Sequence, residues 1–365
     1  MTPDGPCGAL LAYARRSGDE SGIGLRIVDD VGQTVGPEVA VSMATTGVPS
    51  LPSLDMRRGD LLAVWADDSS DWSIRGRLLD ETGTPRRNSI TGDESDFEVV
   101  TDRIGDPIDS SPHAAVGNDG SSLVVWDRLD SMLRQQVFAR LIGARAQGSN
   151  PDGVRSGELR VSDTRFGHGA TVVATDQGYL VVWSDRHGVR GRSVDRYGNA
   201  QGPSFAISER PGELANLAVS GERAMVAYVA FDRGHREVVR IRLVTTSGQA
   251  LGHEQTISDG AAYFFEHPAV AATAQAFLVA WTDTSRHATS DSGWAVHARV
   301  IGTNGVPETA EFVVNAPGAS TRQSPCAVGR ADGRWLVVWT DRGELANNAA
   351  TPSRLRGRLV PSVGL

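Results

Sequence analysis

The sequence predicts an all-β chain folded as a single β-propeller of seven four-stranded blades, the first and last of them incomplete. Three observations carry that prediction. A short apolar string ending in an aromatic residue recurs seven times, a string ending in arginine follows each copy, and small-residue and polar-ended strings fill the intervals.

The recurring string reads Leu10-Leu-Ala-Tyr13, Leu62-Ala-Val-Trp65, Leu123-Val-Val-Trp126, Leu180-Val-Val-Trp183, Met225-Val-Ala-Tyr228, Leu278-Val-Ala-Trp281 and Leu336-Val-Val-Trp339. The aromatic residues are spaced from 45 (183 to 228) to 61 (65 to 126) residues apart. A continuous β-branched and aromatic run of this length, set between turn signals, reads as a strand buried on both faces. It is assigned as the second strand of each blade.

The third strand ends at Arg26, Arg77, Arg140, Arg192, Arg242, Arg299 or Arg358. Four copies alternate as Arg-x-Arg: Arg75/Arg77, Arg190/Arg192, Arg240/Arg242 and Arg356/Arg358. A period of two sets both arginines of a pair on one side of the strand. A glycine-containing turn follows, as in Asp80-Glu-Thr-Gly83 and Asp195-Arg-Tyr-Gly198.

The fourth, outer strand ends in a small polar residue: Glu38–Ser42, Phe97–Thr101, Glu158–Ser162, Phe205–Ser208, Gln255–Ser258 and Glu311–Asn315. The first strand is rich in small residues, as in Pro112-His-Ala-Ala-Val116, His267-Pro-Ala-Val-Ala271 and Pro325-Cys-Ala-Val328. Small side chains suit the innermost place, where strands crowd around the axis. Turns such as Asn118-Asp-Gly120 lead back to the next buried string.

Second and third strands occur seven times and first and fourth strands six times, so seven blades fit better than the alternative of six with stray strands. The whole of 1–365 is read as one propeller domain, with repeats at about 8–58, 59–119, 120–176, 177–221, 222–274, 275–332 and 333–365. Ring closure cannot borrow a strand in the usual way. The two cysteines, Cys7 before the first blade's second strand and Cys326 in the last blade's inner strand, would be neighbours in a closed ring. A disulfide there would imply an oxidising compartment; two buried thiols are the other reading.

The pattern Leu180-Val-Val-Trp-Ser-Asp185, Gly191-Arg192 and Asp195 to Gly198 resembles the tandem propeller repeats of secreted and surface proteins of bacteria. The likeness covers essentially the whole chain. It implies the fold and is nearly silent on activity, because such repeats serve binding, scaffolding and catalysis alike. The first and fifth copies depart from it, with Tyr for Trp and no Gly-Arg pair.

Composition narrows the partners. The net charge is −8 and no basic stripe stands out, which argues against nucleic acid. No apolar stretch approaches 18 residues, so membrane insertion by a helix is not expected. All 36 basic side chains are arginine. That fits either a genome-wide codon bias or a use for arginine's planar, strongly pairing head. Met1-Thr-Pro-Asp-Gly lacks a basic-then-apolar signal segment. The expectation is a secreted, periplasmic or cell-surface monomer whose signal peptide is absent from this sequence, with the cytoplasm as the alternative.

Sites are expected where the repeat is broken. The arginines and the acids Asp67, Asp127, Asp185, Asp232, Asp283 and Asp341 recur in nearly every blade and are read as structural ion pairs. Counting back 15 residues from the second-strand aromatic (183 to 168, for example) gives Ser50, Ser111, His168, Glu213 and Ser324 at the inner-strand start. His267 takes that place in the sixth blade, and His113 lies two positions past Ser111. His113, His168, Glu213 and His267 could hold a divalent transition metal at the channel mouth, or act without one as general acid and base. A hydrogen-bonded turn role for the histidines is the simpler alternative.

Trp72 and Trp294 sit on loops between second and third strands, on the same face as the inner-strand starts. With Ser111 and Ser324 they are the candidate ligand-binding residues, since a rim tryptophan can stack on a sugar or peptide, or pack on the next blade. His187, His235, His253, His287 and His297 are read as surface residues. No phosphate loop, zinc-protease motif or sialidase box is present. The function expected is binding of a glycan, peptide or protein. The alternatives are a metal-dependent hydrolase or lyase using the His/Glu cluster, and a structural module of a larger surface protein.

Overall fold

The computed structural model describes residues 9–17, 20–29, 33–42, 48–68, 72–86, 94–100, 107–143, 157–258, 268–284, 294–316, 322–342 and 354–362. These form seven antiparallel sheets with no helix among the described residues, and the chain is a seven-bladed β-propeller. Blade 1 comprises Ala9–Ser17, Glu20–Val28 and Thr34–Ala40. Blade 2 has Pro49–Arg57, Asp60–Asp67, Ser73–Leu79 and Phe97–Glu98; blade 3 has Ile108–Val116, Ser121–Leu129, Gln135–Gly143 and Leu159–Arg160. Blade 4 has His168–Thr175, Gly178–Asp185, Gly188–Asp195 and Ala200–Ala206. Blades 5 and 6 are Gly212–Ser220, Arg223–Phe231, Glu237–Thr245 and Ala250–Thr256, then Ala269–Ala272, Ala276–Asp283, Ala295–Gly302 and Phe312–Val313. Blade 7 is Arg322–Gly329, Trp335–Asp341 and Arg354–Val360.

Among the described residues, blade 1 shows no inner strand and blade 7 no outer one, as the strand count predicts. The chain divides into two compact units, one of 1–186 with 190–205 and one of 187–189 with 206–365. Within each unit, the inner strands of consecutive blades pack side by side. Cys326 is exposed on blade 7's inner strand, and Cys7, its proposed disulfide partner, lies outside the described residues.

Second strands are buried on both faces, which is why they read as unbroken apolar runs. Trp65, Trp126, Trp183, Tyr228 and Trp281 have no exposed surface at all. Core clusters join neighbouring blades: Val125 and Val137 of blade 3 pack with Val172, Val181 and Trp183 of blade 4. Burying side chains of this size is worth roughly 1.5–3 kcal/mol each.

Polar residues in the repeat have fixed tasks. In five blades the small polar residue at the end of the outer strand caps an N–H near the start of the third strand. Ser42 Oγ accepts from Ile23 (2.8 Å), Ser162 from Val137 (3.0 Å), Ser208 from Val189 (2.9 Å), Ser258 from Val239 (3.0 Å), and Asn315 Oδ1 from Val296 (2.7 Å). Thr101 lies outside the described residues.

An apolar residue at the end of the outer strand does two things. Val41, Val99, Val161, Ile257 and Val314 donate their N–H to their own blade's third strand. Their carbonyls accept from the next blade's arginine: Arg77 on Val41 (2.5 Å), Arg140 on Val99 (2.8 Å), Arg192 on Val161 (2.9 Å), Arg299 on Ile257 (3.0 Å) and Arg358 on Val314 (2.7 Å). Arg242 departs from this and bonds Glu209 at 2.7 Å.

A second cation per blade pairs with acids inside the blade. It comes from the third strand as Arg75 with Asp67 (2.8 Å), Arg190 with Asp185 (3.9 Å), Arg240 with Glu254, and Arg356 with Asp341 (2.8 Å). In blades 1 and 3 the second strand supplies it: Arg15 meets Glu38 at 3.4 Å, and Arg128 bridges Asp109 and Glu158, each at 2.7 Å. Asp127 and Asp232 do not belong to this set. Asp127 accepts from backbone N–H groups of blade 4, and Asp232 holds its own Asp-x-x-x-Arg236 turn.

Two buried groups test this account by denaturant unfolding. Asp109→Ala leaves the buried Arg128 with Glu158 alone and Trp126 Nε1 without its acceptor, and is expected to cost about 2–3 kcal/mol. Ser162→Ala leaves the Val137 N–H without its acceptor and is expected to cost about 1–3 kcal/mol.

Candidate functional site

Every inner strand with a described start carries the same irregularity. Register slips between Ser50 and Ser53, Ser110 and His113, His168 and Thr171, Glu213 and Asn216, and Gln323 and Cys326. The residue after the first of each pair has positive φ: Leu51 at 50°, Ser111 at 52°, Gly169 at 64°, Leu214 at 57° and Ser324 at 53°. This is a β-bulge, a device that re-aims side chains at a sheet's end.

The bulge corrects one alignment. Ser110 and Gln323, not Ser111 and Ser324, are equivalent to Ser50, His168 and Glu213. The inner hairpins of blades 3 and 7 are one residue longer, so a count of 15 lands on the bulge itself.

The predicted cluster is dispersed in role. His113 lies past the bulge, and its Nδ1 accepts from the Val172 N–H at 3.4 Å. Burial pushes its pKa down to about 4, so the ring is neutral at pH 7, as an acceptor must be. Ser53 Oγ and Asp55 do the same for blade 3, accepting from Ala114 (3.2 Å) and Val116 (2.7 Å). These side chains thus serve inner-strand N–H groups that no ladder partner takes. Half-buried His168 stands at the mouth of blade 4 beside Asp127. Glu213 lies exposed on blade 5, and His267 is outside the described residues.

Asp127 is a buried carboxylate held by Gly169 N–H (2.8 Å) and Ala170 N–H (3.3 Å). Burial raises its pKa to about 6, against the opposing pull of those N–H groups and the nearby His168 charge. Asp55 is raised to about 6 for the same reason.

Around this mouth, unit 1 exposes an unusual set of apolar side chains. Leu51, Trp72, Ile108, Met132, Leu133 and Phe166 all lie at inner-strand starts or in loops from second to third strands, so blades 2 to 4 present them on one face. Their exposure runs from 41% at Ile108 to 75% at Leu133. They are stitched together locally. The Trp72 carbonyl accepts from Asp109 N–H at 3.4 Å, Phe166 bridges to Gln135 two residues past Leu133, and the Arg186 guanidinium lies 5.6 Å from the Phe166 ring centre.

Leu51, Trp72 and Leu133 also have left-handed backbones, with φ of 50°, 48° and 57°. A non-glycine residue there costs on the order of 1–3 kcal/mol. In unit 2, Trp294 is half-buried, and its carbonyl accepts from Arg322 at 3.4 Å, while Ser324 is exposed.

His297 overturns its sequence reading. It is buried, not superficial, on blade 6's third strand, opposite Trp281, where other blades carry the pairing arginine. The signal is its place in the repeat: aligned on the third strand, His297 matches Arg75, Arg240 and Arg356.

No protein-family model matches the chain, and no curated protein matches it in sequence. Solved structures do match. The polysaccharide lyase Uly1 is similar at a TM-score of 0.54 with 8% identity, over 98% of this chain and 90% of the other. A protein of unknown function from Dyadobacter fermentans DSM 18053 is similar at 0.51 with 12% identity, over 88% and 96%. Trypanosoma rangeli sialidase reaches 0.49 with 10% identity, over 98% of this chain and 60% of that one. At such identities the likeness shows the propeller fold.

Asp127 gives a test by pH. Its folded pKa exceeds its unfolded value, so charging it costs stability as pH rises from about 4 through 6, and the cost is absent below both values. Asp127→Asn keeps an acceptor without the charge. Its stability relative to wild type is expected to rise with pH across that window, by up to about 2–3 kcal/mol at pH 7, read as the difference between paired thermal melts. His113, which is neutral when folded, acts in the opposite direction, so the paired difference is the quantity to follow.

Proposed function

We propose that the chain is a ligand-binding propeller that uses the blade 2 to 4 face of unit 1, and that its ligand is a peptide or protein segment with apolar side chains. One observation carries the reading: Trp72 and Leu133 are exposed, apolar and left-handed at once. Gly or Asn would suit the backbone better, and a polar residue would suit the solvent better. The fold alone gives no reason for either choice; a bound partner gives one. Trp, Phe, Met and Arg are also the residue types enriched at protein interfaces, and Trp72, Phe166, Met132 and Arg186 supply each of them.

A glycan is the second reading. Trp72 and Phe166 are flat and exposed, and Ser111, His168 and Arg186 provide polar groups beside them. A polysaccharide lyase is among the similar propellers, which makes glycans a sensible first screen. An enzymatic reading rests on Asp127 beside His168: burial raises the Asp127 carboxyl to about 6, within reach of a general acid or base.

The test is screening of the folded protein on peptide and glycan arrays, then calorimetry on the best hit with a Trp72→Ala/Phe166→Ala variant. Loss of about 10-fold or more in affinity with an unchanged melting temperature is expected. Leu133→Gly is expected to weaken binding while raising the melting temperature, because it relieves the backbone. Hits whose affinity is untouched by both variants would overturn the reading.

A further inference from the structure

We propose that blade 6, within unit 2, holds a divalent transition metal between Asp283, His297 and Glu311. Among the described residues this is the one group of three or more His, Cys, Asp or Glu side chains arranged to ligate an ion, with one ligand atom from each lying within 4.8 Å of the others. The three come from successive strands of one sheet: Asp283 ends the second, His297 lies in the third, and Glu311 immediately precedes the outer one.

In blades 2, 4, 5 and 7 a third-strand arginine fills this place and pairs with acids of its own blade, and in blades 1 and 3 a second-strand arginine reaches those acids instead. Blade 6 keeps both acids and replaces the guanidinium with an imidazole. His297 Nδ1 and Glu311 Oε1 are in hydrogen-bond contact. The histidine and glutamate side chains are each only 11% exposed, so the ligand atoms lie in a largely dry place.

Where the other blades link these strands through a guanidinium, the ligand geometry of blade 6 suits a divalent ion. One nitrogen and two carboxylate oxygens form a zinc-type ligand set, with water completing the shell. The Trp281 ring, 6.4 Å away and inclined at 28°, fixes the plane of the imidazole. The ion would tie the second, third and outer strands as arginine does elsewhere, and because its ligands must be deprotonated its binding would strengthen as pH rises.

The full chain, stripped with chelator and dialysed, would be titrated with Zn²⁺ by calorimetry and with Co²⁺ by visible absorbance. The expected result is one equivalent bound, an affinity that rises with pH, and a higher melting temperature with metal. His297→Arg, which restores the arginine of the other blades, should fold, bind no metal and melt at the same temperature with or without zinc. Glu311→Gln should bind at least about 10-fold more weakly, and it decides the matter if His297→Arg does not fold. No stoichiometric binding by wild type, or equal binding by both variants, would overturn the proposal. The unit 1 ligand face is not involved, so its binding readouts stand or fall separately.

Discussion

The structure depends on what happens to one residue at the end of the outer strand in five of the seven blades. Val41, Val99, Val161, Ile257 and Val314 each spend their N–H on their own sheet and their C=O on an arginine from the next. Each is buried, so both groups must be satisfied, and neighbouring blades thereby share a bond that neither can satisfy alone. The donor has to reach from a third strand and still occupy its remaining nitrogens. Arg77 also donates to the Glu94 carbonyl, Arg192 to Gly202 and Arg299 to Thr309. A planar fork of five N–H groups can do that, and a single ammonium on a flexible stem is poorly suited to it. This gives the arginine-only composition a physical use, whatever the genome contributes.

Much of this is legible in the sequence because it repeats. Seven apolar strings, seven arginines and six polar-ended strands are enough to order the strands within a blade, and the small polar residues prove to be caps with a single task. Position within the repeat is readable only where turn lengths match. The inner hairpins of blades 3 and 7 each carry one extra residue, so a fixed count aligns Ser111 and Ser324 with residues that they follow. The bulge itself leaves no compositional trace, since leucine, serine and glycine all occupy it. His297 escapes for a different reason: a lone histidine in an outer part of a sheet resembles a surface residue until it is set against the arginines of its register.

His113 shows how a breaker of the repeat can still be scaffold. Its inner strand faces the next one across an edge that has no ladder partner, and its neutral ring accepts the Val172 N–H just as Ser53 and Asp55 accept those of blade 3. Three chemically different side chains do one job, so residue type alone does not separate this role from ligation. The hydrogen bond decides it: the Val172 N–H takes the Nδ1 lone pair, and burial lowers the ring's pKa to about 4 and keeps it a neutral acceptor.

The more informative departures are those that the scaffold does not need. Leu133 and His235 occupy the same place in matching Asp-x-x-x-Arg turns, with φ of 57° and 58°. Both turns are held by the same aspartate contacts, so the geometry is dictated by Asp130 and Asp232 and not by the residue at the strained position. A histidine tolerates that backbone and solvent; an isobutyl side chain gains nothing from either. The cost at Leu133 therefore falls on one blade and recurs at Trp72 and Leu51 on the adjoining one. Strain and apolar exposure that coincide on one face are what a surface shaped by a partner would show, and blades 2 to 4 concentrate them at the loops that the propeller leaves freest to vary.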